Sequence, residues 1–127
     1  LTGVKNMPQT SNRFFKINEL QHFSDDAAKK TIFYETRHSA GAVWCLKPGQ
    51  SLPCHTHKDA DDVWIVLQGE GTFFTNDNEQ KPIKAGDIFV SFPGDAHGMT
   101  NTGDEDFVML GFATPMPLHF NPYECTQ

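Results

Sequence analysis

Cationic residues are scarce: Lys and Arg total 10 against 16 Asp and Glu, a formal charge of −6 with neutral histidines. A nucleic-acid binder needs a cationic stripe to displace counterions from phosphate, so DNA, RNA and anionic membrane surfaces are not expected partners. Long apolar runs are missing too. No stretch approaches the roughly 18–20 residues of a membrane span. The opening LTGVKNMPQT carries no apolar signal segment, so a soluble, cytoplasmic protein is expected. Cysteine is rare and odd in number: Cys45, Cys54 and Cys125 lack paired zinc-finger spacing. That argues against a disulfide framework or a zinc knuckle and for free buried thiols. Also absent are internal repeats, heptads, a Ser-His-Asp nucleophile set and a phosphate cradle. Gly69-Glu70-Gly71 lacks the rest of any dinucleotide fingerprint.

What is present fits one domain of 127 residues, since single domains most often run roughly 100–150. Short runs rich in β-branched and aromatic residues recur from Thr31 onward: TIFYET, AVWCL, VWIVL, TFFT, DIFVSF and FVMLGF. Turn formers such as Pro48-Gly49, Asn76-Asp77-Asn78 and Pro93-Gly94 separate them. The pattern predicts an all-β sandwich or barrel of antiparallel strands. Ser24 is expected to cap a short helical turn through Lys30, with Asp25 and Asp26 near the positive end of its dipole. Several runs are apolar at consecutive positions, so both faces need cover. Either a homodimer supplies it, or the N-terminal segment Arg13–Leu20 folds over the outer face. The expected organisation is an N-terminal extension over 1–30, a strand or short helix packed on the barrel, then the barrel over 31–115 and a tail over 116–127.

Of six histidines, His22, His38 and His119 stand alone in polar or irregular contexts and are set aside. His55 and His57 lie two apart, so on an extended strand their imidazoles share a face and can meet one metal. Asp62 follows at the start of VWIVL, and His97 comes after the turn Phe92-Pro93-Gly94-Asp95. Imidazoles and a carboxylate from separate strands suit a divalent metal with positions left open for water or substrate. If Asp62 points inward, alternation carries Trp64 and Val66 inward with it, as His97 carries Met99 and Asn101. Trp64 can then cap the open side of the metal and donate its Nε1–H to a substrate oxygen. Trp44, Phe73, Phe74, Phe89, Phe107 and Phe112 are assigned to packing. Phe92 is read as a core aromatic, with a place on the cavity wall as the alternative. The tail after Pro115 either folds over the barrel mouth, delivering Tyr123, or stays mobile.

Gly49-x5-His55-x-His57-x4-Asp62-x6-Gly69 and Gly86-x5-Phe92-x-Gly94-x2-His97-x3-Asn101 have the spacing of the two motifs of the cupin superfamily. The sequence resembles a small, single-domain metal-binding cupin. The resemblance implies a double-stranded β-helix, or jelly-roll barrel, holding one divalent transition metal (Fe, Mn, Ni or Zn) through His55, His57, Asp62 and His97, and a fold that commonly dimerises. It departs from the family at Asp62, where Glu is usual, and at Phe92, where Pro is usual. The shorter Asp62 either ligates or, left unmetallated, serves as a general base. Asp61 is the lesser candidate, because only Asp62 leaves six residues before Gly69. The implied activity is that of a metal-dependent enzyme on a small oxygenated organic substrate, with Asp62 and Trp64 as catalytic candidates. It would be a dioxygenase, or an isomerase or lyase abstracting a proton next to a carbonyl. The alternative is a non-catalytic module that binds or senses a small ligand or sugar.

Overall fold

Strands begin where β-branched and aromatic residues replace turn formers. The computed structural model describes residues 12–76 and 79–123. A 3₁₀ turn at Ile17–Leu20 precedes β1 (Lys29–Glu35), β2 (Ala40–Leu46), β3 (Ser51–His57), β4 (Asp61–Gln68) and β5 (Glu70–Phe74). These are followed by β6 (Gln80–Lys84), β7 (Ile88–Ser91), β8 (Ala96–Thr100), β9 (Phe107–Thr114) and β10 (Phe120–Pro122). Two antiparallel sheets result, ordered β1-β2-β9-β4-β7 and β10-β3-β8-β5-β6. They face each other as the all-β double-stranded β-helix, or jelly roll. No helix among the described residues is long and apolar enough to cross a membrane.

Alternation on β4 shows how the runs are used. Asp62, Trp64 and Val66 are buried, while Val63, Ile65 and Leu67 are half-buried on the opposite face. Trp64 and Val66 join Leu46, Phe73, Met99 and Phe107 in the core between the sheets, where each large apolar side chain contributes about 1.5–3 kcal/mol. The outward set forms a second cluster. Val43, Cys45 and Val108 lie there, covered by Leu20 and Phe23 together with Phe33, and Phe15 meets Phe33 edge-on at 5.1 Å between centroids. The N-terminal segment therefore covers the β1-β2-β9 end of this face. At the other end Ile88 stays 67% exposed, next to exposed Val90.

Several expectations need correction. Ser24 accepts a hydrogen bond from the Asp26 N–H, but no helical turn follows. The Ser24 carbonyl instead accepts from Gln50 Nε2 at 2.7 Å, Asp25 pairs with Lys47, and the chain enters β1 at Lys29 opposite Cys45. Cys45 is a free, buried thiol, whereas Cys54 is disulfide-bonded; Cys125 lies outside the described residues. Phe92 neither packs in the core nor lines the cavity. Its amide donates to Asp95 Oδ2 and its carbonyl accepts from the Asp95 N–H, both at 2.9 Å. That turn leaves the ring 62% exposed, on the opposite side of the strand from buried Ser91. The tail docks as far as β10, which pairs with β3, but the Tyr123 ring is exposed and away from the cavity.

The glycines of the two motifs, Gly49, Gly69, Gly86 and Gly94, have φ of 87°, 88°, 97° and 84°. Gly69 is doubly constrained, because a Cβ there would also lie 2.6 Å from the Asp106 carbonyl oxygen.

Candidate metal centre

The histidines of β3 are placed by a bulge. Leu52 pairs with Met99 and His55 with His97, so Pro53 and Cys54 together oppose the single residue Gly98. Only glycine fits there, since a Cβ on Gly98 would lie 2.8 Å from the Cys54 amide nitrogen. Leu52 and His55, three positions apart, thus share the inner face, and His57 follows by ordinary alternation. Asp62 reaches the same space from β4, where it sits between Ser91 of β7 and Ala113 of β9.

One ligand atom from each of His55, His57, Asp62 and His97 lies within 4.8 Å of all the others, and all four residues are buried. His57 Nε2 and His97 Nε2 approach Asp62 Oδ2 to 3.1 and 2.9 Å. The His55 Nδ1–H donates to the Pro53 carbonyl at 2.9 Å, and the His57 Nδ1–H points at the His119 carbonyl at 3.4 Å. Fixing Nδ1 as the protonated nitrogen leaves Nε2 as the lone-pair donor, the usual way a protein orients metal-bound imidazole. The His57 lone pair then faces a carboxylate oxygen, which requires a shared proton or a cation. His97 Nδ1 is buried without a hydrogen-bond partner, and the only polar atom that its Nε2 is seen to meet is the Asp62 carboxylate oxygen. This donor set fits a divalent first-row transition ion.

Burial opposes ionisation of Asp62, but the hydrogen-bonding approach and charge of His57 and His97 outweigh it and hold the carboxyl well below the usual range. Burial, reinforced by His97, lowers His55 to about 4 from 6.5. At neutral pH the site therefore presents a carboxylate and an unprotonated His55. A lowered imidazole means that the unfolded chain binds more protons between these two values, so stability falls as pH drops through that window. The lowered Asp62 acts in the same direction at more acid pH. The thermal midpoint of the metal-free protein is expected to fall on acidification from pH 6.5 to 4, and His55→Gln to flatten that slope in calorimetric scans.

His55, His57 and Asp62 lie in the wall of a cavity of about 330 Å³, which Trp64, Trp44, Leu52, Met116, Pro117 and Leu118 also line, while His97 stands behind them. Trp64 meets His97 edge-on at 5.0 Å. Its indole N–H has no partner among the described residues. Asp61, the neighbour of Asp62 on β4, faces the other side of the strand. Asp61→Asn should leave metal affinity near wild type, while Asp62→Asn should lower it by about 10–100-fold, as loss of a metal-shell partner does. Competition with a chromogenic chelator measures both, and the reverse ranking would place the register off by one. Sequence reasoning missed two charged residues at the cavity, Lys30 and Glu35. Nothing local to β1 marks them, because a bulge decides which way Glu35 points.

A family model of the cupin domain matches residues 42–112, more than half of the chain and a span that contains all four candidate ligands. The chain belongs to the cupin family. A Klebsiella pneumoniae protein with a double-stranded β-helix domain superposes on this cupin with a TM-score of 0.85 at 31% identity, over 89% of this chain and 98% of that one. An oxalate-binding protein of Thermotoga maritima is 38% identical over 65 residues, 51% of the cupin and 53% of that protein. A gentisate 1,2-dioxygenase of Ralstonia sp. is 34% identical over 65 residues, 51% of the cupin and 18% of that enzyme. The cupin thus spans about half or less of the length of these two curated relatives.

Proposed function

We propose that this cupin is a metal-dependent enzyme acting on a small oxygenated organic substrate. One observation carries the reading: three imidazoles and a carboxylate converge within 4.8 Å, and two of the imidazoles and the carboxylate line a cavity large enough for a small molecule. A bound Fe, Mn, Ni or Zn ion would supply Lewis acidity towards carbonyl, carboxylate or hydroxyl oxygens and, where redox-capable, dioxygen chemistry. Asp62, ionised and one methylene shorter than the usual Glu, would, where it does not ligate the ion, take a proton from carbon next to a carbonyl. Trp64 offers an unpartnered N–H to a substrate oxygen. These two features favour an isomerase or lyase over a dioxygenase. A binding or sensing role is the second reading, favoured by the likeness to an oxalate-binding protein.

Assays of zinc-loaded and iron-loaded protein on carbonyl-containing acids and sugar derivatives, run with and without oxygen, separate these readings. Anaerobic turnover with zinc is expected. Turnover only with iron and oxygen would replace it by dioxygenation, and silence in every condition by binding.

We infer a homodimer from the apolar end of the first sheet, where Ile88 and Val90 stand exposed beside half-buried Val63 and Ile65. Sedimentation at several dilutions tests it. Disulfides are rare in the cytosol, so the bond at Cys54 weighs against the cytoplasmic residence expected from sequence. Counting free thiols in freshly lysed cells decides between the two.

A further inference from the structure

On the inner face of the first sheet, the strand registers align residues in rows that cross β1, β2, β9 and β4. One row runs Glu35, Ala40, Ala113, Asp62, and the next runs Ile32, Ala42, Gly111, Trp64. In both rows the middle positions are small, and every member lines the cavity. The floor is therefore low between the candidate metal centre and the edge strand β1, leaving a slot across the strands.

Packing does not demand glycine at 111. A Cβ there would meet Trp64 Cδ1 at 3.6 Å and Nε1 at 3.7 Å, ordinary contact distances. At Gly41, by contrast, a Cβ would lie 2.6 Å from the Tyr34 ring. Glycine inside a strand weakens it, and where the fold does not require one it often marks the close approach of a ligand. The indole beside Gly111 agrees with this. Trp64 is only 4% exposed but lines the cavity, and its N–H makes no hydrogen bond among the described residues, which leaves it open to a partner there.

The far end of the slot is charged because β1 is bulged. Ile32 pairs with Ala42, but Tyr34 rather than Phe33 pairs with Gly41, so Glu35 falls opposite Ala40. Plain alternation from Lys30 and Ile32 would have turned Tyr34 inward and Glu35 out. The extra residue reverses this, as bulges do where they re-aim a side chain beside a site. The half-buried Glu35 carboxylate has no hydrogen bond or ion pair among the described residues. Lys30 lines the cavity one row further along, with its ammonium 5.6 Å from the Trp44 ring centroid, and offers an entering acid a favourable charge.

We propose, resting on the metal-dependent reading above, that the slot holds a hydroxylated monocarboxylic acid lying across the strands. Its acid end sits at the histidine–aspartate cluster, an oxygen along its chain accepts from the Trp64 N–H, and a hydroxyl at its far end donates to Glu35. Three strand spacings of roughly 4.7–4.9 Å separate the Asp62 and Glu35 backbones, more than lactate can span. A second carboxylate at the far end would meet Glu35 as a like charge.

Cobalt-loaded protein, whose visible absorption reports ligands at the metal, is titrated with lactate, gluconate and glucarate; the last two differ only at the far end. Gluconate is expected to bind at least about tenfold more tightly than either of the others, the scale of one hydrogen bond to a charged group. Glu35→Gln should erase most of the preference for gluconate over glucarate and leave lactate unchanged. Gly111→Ala, which the packing accommodates, should weaken gluconate and spare lactate. Equal affinities for gluconate and glucarate, or a preference that Glu35→Gln does not alter, would overturn the slot while leaving the metal centre standing. Failure to bind cobalt, or a spectrum that no acid perturbs, would overturn the metal-dependent reading and the slot with it.

Discussion

His57→Ala is expected to lose most of its bound metal on dialysis, while the variant still melts cooperatively. His57 is buried, and its Nε2 stands 3.1 Å from Asp62 Oδ2. Removing it takes away one candidate ligand and one of the two imidazoles that hold the Asp62 carboxyl ionised. Losing only an outer partner of a metal ligand typically costs about 10–100-fold in affinity, so loss of the ligand itself should cost at least that. His119→Ala is the matched control, because His119 meets His57 through its backbone carbonyl and should keep its metal. Elemental analysis after dialysis reads both variants. Unchanged stoichiometry in His57→Ala would remove this residue from the site.

Asn101→Ala should cost on the order of 2–4 kcal/mol, lowering the melting temperature by roughly 10 °C. Asn101 is 1% exposed. Its Nδ2 donates to the carbonyls of Leu46 and Glu105, both at 2.9 Å, and its Oδ1 accepts from the Gly103 N–H at 3.0 Å. Alanine leaves these backbone groups with nothing to replace the amide and opens a void beneath the 101–106 turn. The histidines lie elsewhere on β8 and β3, so the folded fraction should still bind metal at wild-type stoichiometry. A melting temperature within about 2 °C of wild type would show that water or local movement replaces the side chain.

Patterns confined to one strand or one turn were legible in the sequence. The family spacing around His55, His57 and His97, alternation along Asp62, Trp64 and Val66, and glycines at positive φ all depend on neighbours a few residues away. So does the pointing of Asp62 rather than Asp61 into the barrel, because successive side chains on a strand face opposite ways. The runs apolar at consecutive positions announced two covered faces, yet not what covers them.

What covers them, and which way several residues face, depends on contacts between segments distant in sequence. Leu20 and Phe23 lie over Val43 and Val108 only once β2 and β9 are paired. The bulge of β3 exists because Gly98 of β8 admits Cys54, and that of β1 because Gly41 of β2 admits the rings of Phe33 and Tyr34. A bulge shifts every later side chain of its strand to the other face, and its cause sits on the partner strand. The sequence alone therefore determined the family, the barrel and the residues to examine for a metal. The tertiary structure decided the N-terminal cover, the placing of His55 by the bulge of β3 and the inward turn of Glu35, because each depends on which distant strands meet.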